Sequence, residues 1–237
     1  MATIAQPRAS RLSFWAKMSI GMSLFIVFAF GQFAARGFVD YAAAPLVMHL
    51  HGAAMVTWLG LLCTQAVLAG RGSLALHRRL GWSSVAMLPV IVVLASATCI
   101  AALRLGIFPP FFTAPYFLAL VHVGVALFAA LVIFAVLRRG QLEWHRRLMV
   151  GSTVLLLEPA LGRVLPVPLM MPWAEWAAMV IQLGVVGLIA RHDHRTVGKV
   201  HPATVAVFLT VALAHVLIEL LAVMPWWTAY AARISGS

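Results

Sequence analysis

The sequence predicts an all-α, polytopic integral membrane helix bundle of about seven transmembrane helices in a single domain. Its 237 residues are 63% hydrophobic and only 10% charged, whereas soluble domains carry about 25% charged residues. A helix needs roughly 20 apolar residues to cross a bilayer, and the chain contains seven apolar runs of that order with short polar segments between them. We therefore expect the surface of the protein to face a lipid bilayer rather than water.

The apolar runs predict helices at 18–38, 46–69, 80–103, 114–137, 147–165, 173–190 and 202–223. Residues 1–17 are basic and precede a run longer than the apolar core of a signal peptide, which predicts a cytoplasmic N-terminal segment and a retained first helix. Pro89 and Pro159 fall inside the third and fifth runs and should kink those helices. Helices two to five, residues 46–165, are the predicted four-helix core, and 173–223 holds two additional helices.

The basic residues predict the orientation of this bundle. All but four of the 17 lysines and arginines fall in segments on the side of the N-terminus, and the exceptions are Arg36, Arg104, Arg163 and Arg233. The positive-inside rule then predicts a cytoplasmic N-terminus and a C-terminus on the other side, as expected for a protein of the bacterial inner (cytoplasmic) membrane. Because the net charge of +11 arises in short loops beside anionic headgroups, we do not expect a nucleic-acid partner.

Four histidines define the candidate site. The segment Leu76-His77-Arg78-Arg79-Leu80 reappears as Trp144-His145-Arg146-Arg147-Leu148, and one apolar run before each copy stands another histidine, His51 or His122. With a rise of about 1.5 Å per residue, His51 and His122 fall near the outer side and His77 and His145 at the inner boundary, roughly 20–25 Å away in height. The four therefore form an outer pair and an inner pair on alternate helices of the core.

Two levels of paired imidazoles suit two stacked b-type haems, each with two axial histidines from facing helices. His51 and His122 would hold one haem iron, and His77 and His145 the other. The guanidinium groups that would pair with the haem propionates of the inner haem belong to Arg78, Arg79, Arg146 and Arg147. Glycines close to these histidines would let a flat macrocycle approach the helices; they are Gly52, Gly81, Gly124 and Gly151. The predicted function is transmembrane electron transfer in exchange with a quinone or another redox partner.

The histidine spacing resembles the di-haem core of cytochrome b561-type membrane proteins. In this chain 25, 44 and 22 residues separate His51, His77, His122 and His145, and the resemblance covers about residues 45–165. It implies a membrane oxidoreductase in which the second and fourth, and the third and fifth, helices pair around each haem. The chain departs from that family in having one helix before the core and two after it. It also resembles uncharacterised bacterial seven-helix proteins that carry a His-Arg-Arg-Leu-Gly signature.

A second polar group is predicted in the outer half of the bundle. Glu158 and Arg163 lie in the fifth apolar run, and His215 and Glu219 lie one turn apart in the seventh, so that they share a helix face. Ionisable side chains at such depth normally face the bundle interior and mark function. These four residues are therefore candidates for a quinone pocket or a proton path.

Two other function classes remain open at this point. His51, His122, Glu158, His215 and Glu219 could instead bind a non-haem iron, copper or zinc ion in a membrane metalloenzyme. Alternatively, the protein could be a non-catalytic subunit or assembly factor that meets other membrane subunits through its helix faces. Residues 191–195 are five consecutive ionisable residues, Arg-His-Asp-His-Arg, and we predict that they form a solvated inner loop.

Overall fold

The computed structural model describes residues 12–38, 40 and 42–236, and helices occupy almost all of that range. In chain order they are α1 (Phe14–Ala35), α2 (Leu46–Gly70), α3 (Leu74–Leu105), α4 (Ala114–Leu137), α5 (Leu142–Leu155), α6 (Leu157–Val164), α7 (Val167–Met170), α8 (Ala174–Val197), α9 (Pro202–Val223) and α10 (Pro225–Ser235). The predicted N-terminal segment lies mostly outside the described residues. The all-α class is confirmed for the part of the chain that the structure describes.

Six helices have the length and apolar composition of membrane spans, namely α1, α2, α3, α4, α8 and α9. Large apolar side chains are widely exposed on them, including Leu24, Phe28, Val93 and Val180. A soluble protein rarely exposes apolar surface on this scale, so the chain is an integral membrane protein.

The seventh predicted span is divided between α5 and α6. The break falls at Leu156, whose backbone N–H bonds the carbonyl of Thr153 and not that of Ser152, its α-helical acceptor. Pro159 causes this break, since it has no N–H for the carbonyl of Leu155 and its ring crowds that group. Pro89, by contrast, lies inside an uninterrupted α3.

The helices lie side by side, with loops at two ends of the bundle. The basic end contains the start of α1 and the loops 71–73, 138–141 and 198–201. The opposite end contains the loop 106–113 and the segment 165–173, which includes α7, and the short helix α10 packs there against α3, α4 and α9. Helix α9 packs against both α4 and α5, so a further helix lies beside the predicted core of helices two to five.

Candidate functional site

His77 and His145 form a close pair at the basic end. Their ring centres are 6.3 Å apart and their planes are nearly perpendicular, at 85°. His77 lies in the first turn of α3 and His145 in the first turn of α5. The two copies of the repeated motif therefore bring their histidines together.

Each imidazole of this pair is held by a backbone carbonyl of the preceding helix. His77 Nδ1 lies 3.2 Å from the carbonyl oxygen of Gln65, and His145 Nδ1 lies 2.8 Å from that of Ala135. A carbonyl can only accept, so both Nδ1 atoms must carry the proton. In the neutral ring this leaves a lone pair on Nε2, which is the arrangement found in metal-ligating histidines.

The distance between the two rings matches that of two imidazoles on opposite sides of one metal ion. A ligating nitrogen lies about 2 Å from its metal, which puts each ring centre roughly 3 Å away and the two centres roughly 6 Å apart. The observed separation of 6.3 Å agrees with this value. The Nδ1 hydrogen bonds and the separation of the ring centres thus fit two histidines that hold one haem iron.

Two buried polar atoms without partners lie at the same end of the bundle. They are the side-chain oxygen Oε1 of Gln65 and the Nε of Arg146. The Gln65 amide is close to Gly81, because a Cβ built on that glycine would lie 3.6 Å from Gln65 Nε2. Buried polar groups normally have partners. The Arg146 Nε–H can donate to an anionic group of a bound cofactor, such as a propionate, whereas the Gln65 oxygen needs a hydrogen-bond donor.

The four arginines of the repeated motif have different surroundings. Arg78 and Arg79 are exposed, and Arg146 is partly buried against the ring of Trp15, 4.9 Å from its centre. Arg146 Nη2 also donates to Glu143 Oε2 at 2.5 Å. These three side chains stay predicted partners of an anionic cofactor group.

Arg147 is fully buried and bound within the protein. Its Nε and Nη2 donate to Asp193 Oδ1 at 2.9 and 2.6 Å, and its Nη1 donates to both the carboxylate and the backbone carbonyl of Glu143. Asp193, also fully buried, accepts a further bond from the Thr204 hydroxyl at 2.5 Å and one from the His201 backbone N–H at 3.1 Å. The Arg147–Asp193 pair thus joins α5, α8 and the start of α9.

The charges of this network shift the pKa of groups outside the spanning helices. Burial alone would raise the pKa of Glu143, but hydrogen bonds and charges from Arg147 and Arg146 outweigh it and lower that pKa. Burial and the Arg147 charge together lower the pKa of His201. Glu143 is therefore held ionised and His201 neutral near pH 7.

The interpretation of 191–195 as a solvated loop was wrong. Helix α8 continues to Val197, and Asp193 points into the protein with no exposed surface. The ring of His192 stacks on Phe14 of α1, with 3.8 Å between ring centres. The sequence alone did not distinguish this helical segment from a charged loop, because Asp193 pairs with Arg147 on a different helix.

His51 and His122, the predicted outer pair, are not arranged like His77 and His145. His122 Nδ1 bonds the carbonyl of Leu118 at 2.9 Å, and its Nε2 lies 2.9 Å from the Ser96 hydroxyl. His51 has a buried Nδ1 without a partner. Among the described side chains no ring contact joins His51 to His122, so a second haem would require Ser96 to release His122.

The glycines near the histidines also differ from one another. A Cβ on Gly52 or Gly124 would meet nothing within 4 Å, whereas one on Gly151 would lie 2.3 Å from Cγ2 of Val207. Gly151 thus allows α5 and α9 to pack closely. The expectation that it leaves room for a macrocycle was wrong, because Val207 fills that space.

The polar group in the other half of the bundle contains three residues that the sequence analysis missed, namely Tyr116, Glu175 and Gln182. Glu175 accepts from the Tyr116 hydroxyl at 2.5 Å and contacts His215 Nδ1 at 2.5 Å, and His215 Nε2 lies 3.0 Å from Gln182 Oε1. Glu175, Gln182 and His215 are all buried. The signal for the first two was their spacing of seven residues, which places two polar side chains on one face of an apolar helix.

The predicted residues of this group lie around the same carboxylate. Glu158 and Glu219 are within electrostatic range of both Glu175 and Tyr116. Arg163 is within range of Glu158, and its guanidinium also lies 3.8 Å from the ring centre of Phe30. Within residues 12–38, 40 and 42–236, no three His, Cys, Asp or Glu side chains converge as metal ligands do.

Comparisons of the chain with protein-family models, with curated proteins and with solved structures found no match.

Proposed function

We propose that the protein is a transmembrane electron-transfer protein with a b-type haem bound between His77 and His145. The observation that carries the proposal is the distance of 6.3 Å between two imidazoles whose Nδ1 atoms are both held by backbone carbonyls. The resemblance of the histidine spacing to the cytochrome b561 core agrees with it. The proposed activity is that of a membrane oxidoreductase that passes electrons between a quinone and a partner at one face of the membrane.

The residues at the basic end each have a role in this proposal. The Nε2 atoms of His77 and His145 would hold the iron, and a haem held by two histidines would favour electron transfer over oxygen chemistry. Arg146 and the exposed Arg78 and Arg79 would neutralise propionates, and the Gln65 amide would supply a hydrogen bond. A haem held in this way would supply reversible one-electron chemistry.

The proposal includes a second haem, a topology and a location. His51 and His122 are the proposed ligands of the second haem, near the opposite end. We also propose that α5 and α6 together cross the membrane as a seventh, broken span, with the N-terminus in the cytoplasm. The segments at the basic end carry most of the positive charge, which supports this orientation, and the proposed membrane is the bacterial inner membrane.

A reduced-minus-oxidised absorption spectrum of the protein, purified from haem-sufficient cells, tests the proposal. We expect an α-band of b type in the wild type and its loss, in whole or in one component, in His77→Ala and His145→Ala. The matched control is His194→Ala, which removes an exposed histidine at the same end and should keep the spectrum. The absence of a b-type band in the wild type would refute the proposal.

The haem content of His122→Ala tests the second site separately. The ratio of haem to protein should fall from two to one, with the remaining haem spectrally unchanged. A wild-type ratio of one, unaffected by His122→Ala, would limit the proposal to the His77–His145 pair. Elemental analysis for iron, copper and zinc in the same sample distinguishes haem from a non-haem metal.

A further inference from the structure

One backbone N–H in the first turn of α9 is bonded by a side chain and not by the backbone. The helix begins with Pro202, which has no N–H. The N–H groups of Thr204 and Val205 bond the carbonyl of His201, at 2.8 and 3.2 Å. The N–H of Ala203 donates instead to Nδ1 of the His201 ring, at 3.1 Å, so this imidazole is the side-chain cap of α9.

This cap requires a neutral imidazole. Because a backbone N–H can only donate, Nδ1 of His201 must carry a lone pair and not a proton. A neutral ring has one such nitrogen, whereas a protonated ring has an N–H on both nitrogens and accepts no hydrogen bond. Ala203 has no exposed surface, so its N–H cannot turn to water when the ring is protonated. A second proton on His201 would thus leave a buried donor without a partner, which costs free energy.

The surroundings of His201 disfavour a second proton on its ring. On α5, Arg146 and Arg147 repel an imidazolium, and Glu143 attracts it. On α8, Asp193 attracts it, but that carboxylate is already bonded to Arg147, at 2.9 and 2.6 Å. The N-terminal end of a helix is also unfavourable for a cation. Burial and the charge of Arg147 therefore keep the pKa of His201 below its usual value.

We infer that His201 is a pH-sensitive cap of α9, which the neutral imidazole forms and which is lost when the ring takes up a second proton. The His201 side chain is partly exposed, so the proton comes from water at the basic end, and only an N–H bond forms. The inference concerns the first turn of α9 and does not depend on haem binding.

The cap adjoins the buried ion pair at the basic end. The His201 backbone N–H and the Thr204 hydroxyl both bond Asp193 Oδ2, at 3.1 and 2.5 Å. The other oxygen of the same carboxylate, Oδ1, accepts from Arg147. Acid should therefore loosen the first turn of α9 next to the Arg147–Asp193 pair.

The stability of the folded protein should decrease when the pH falls below the pKa of a free histidine. Because the pKa of His201 is lowered in the folded protein, the unfolded chain binds this proton more readily. The contribution of the cap is thus fully present above about pH 6.5 and is lost as the pH falls below that value. Loss of a helix cap shifts the folding equilibrium roughly 2- to 30-fold.

Variants of the purified full chain test the cap through melting temperatures at about pH 7.5 and about pH 5, on either side of the histidine pKa. His201→Asn supplies a cap that does not titrate, so it should melt near the wild type at the higher pH and above it at the lower pH. His201→Ala has no cap at either pH, so it should melt below the wild type at the higher pH and closer to it at the lower pH. His194→Asn replaces an exposed histidine and is the matched control, which should keep the wild-type pH dependence.

Hydrogen–deuterium exchange locates the effect within the chain. After correction for the intrinsic exchange rate at each pH, the protection of the peptide that begins at Pro202 should fall roughly 2- to 30-fold in the wild type at the lower pH. In His201→Asn the protection of this peptide should stay constant. A peptide from the middle of α4 should keep its protection in both proteins.

Each outcome decides for or against the inference. A smaller pH dependence in His201→Asn, together with the local change at the start of α9, would support it. Equal pH dependence of the wild type and His201→Asn would overturn it, as would a His201→Ala protein that is as stable as the wild type at the higher pH. If His201→Ala does not fold, the comparison of the wild type with His201→Asn still decides, and His201→Ser provides a second cap that does not titrate.

Discussion

Removing the carboxylate of Asp193 should destabilise the protein strongly. In Asp193→Leu the buried Arg147 guanidinium loses the acceptor of two hydrogen bonds, at 2.9 and 2.6 Å. The Thr204 hydroxyl and the His201 N–H lose the same acceptor. Breaking a buried ion pair by removing one partner costs about 3–5 kcal/mol.

This cost can be measured as a change in melting temperature. For a chain of this size each kcal/mol corresponds to roughly 2–4 °C, so Asp193→Leu should melt roughly 6–20 °C below the wild type. A thiol-reactive dye that labels Cys99, which is 1% exposed in the folded protein, reports unfolding. A Cys63→Ala background removes the other thiol.

A double substitution distinguishes a lost charge pair from lost packing. Arg147→Met with Asp193→Leu removes both charges, and apolar replacement of a buried pair is often close to neutral. The double variant should therefore be more stable than Asp193→Leu alone. The control Asp40→Leu, at an exposed carboxylate, should melt near the wild type. Equal melting of Asp193→Leu and wild type, or strictly additive losses in the double variant, would refute the reasoning.

Two further predictions concern packing and topology. Gly151→Ala should lower the free energy of unfolding by about 1–3 kcal/mol, because its Cβ would lie 2.3 Å from Val207 Cγ2. Adding Val207→Ala to this variant should restore part of the lost stability. The control Gly187→Ala, whose Cβ would meet nothing within 4 Å, should not destabilise the protein. Equal melting temperatures of the two glycine variants would contradict the packing argument. In a cysteine-free background, a membrane-impermeant thiol reagent applied to intact cells should label Ala229→Cys and not Ser73→Cys, both of which replace exposed residues. The reverse pattern would contradict the proposed cytoplasmic position of the basic end.

The sequence alone was sufficient to predict helices with clear boundary signals. The bounds 114–137 and 202–223 agree with α4 and α9, since Thr113 caps the first and Pro202 begins the second. The start of α1 was placed too late, at 18, because the side chain of Ser13 caps a helix that already begins at Phe14. Helix α10 was missed, since its 11 residues are too few for the membrane spans by which the helices were predicted.

From the sequence, the position of each site residue along its helix could be predicted, but its contacts with residues of other helices could not. The repeated motif and the rise per residue predicted that His77 and His145 lie at one level, and the structure has their rings 6.3 Å apart. The bond from Ser96 to His122 could not be foreseen, because it depends on the rotation of two helices about their axes. The pairing of Arg147 with Asp193 was missed for a similar reason, since 46 residues separate them.

The carbonyl contacts of His77 and His145 have a consequence for how the pair is assembled. Each contact closes a local segment, spanning 12 residues from Gln65 to His77 and 10 from Ala135 to His145. Each imidazole is therefore oriented by a contact within its own helical hairpin, and not by the other hairpin. The separation between the rings then depends on how the two hairpins pack together. A substitution at the interface of the hairpins should change that separation, while each ring keeps its hydrogen bond to the carbonyl of its own hairpin.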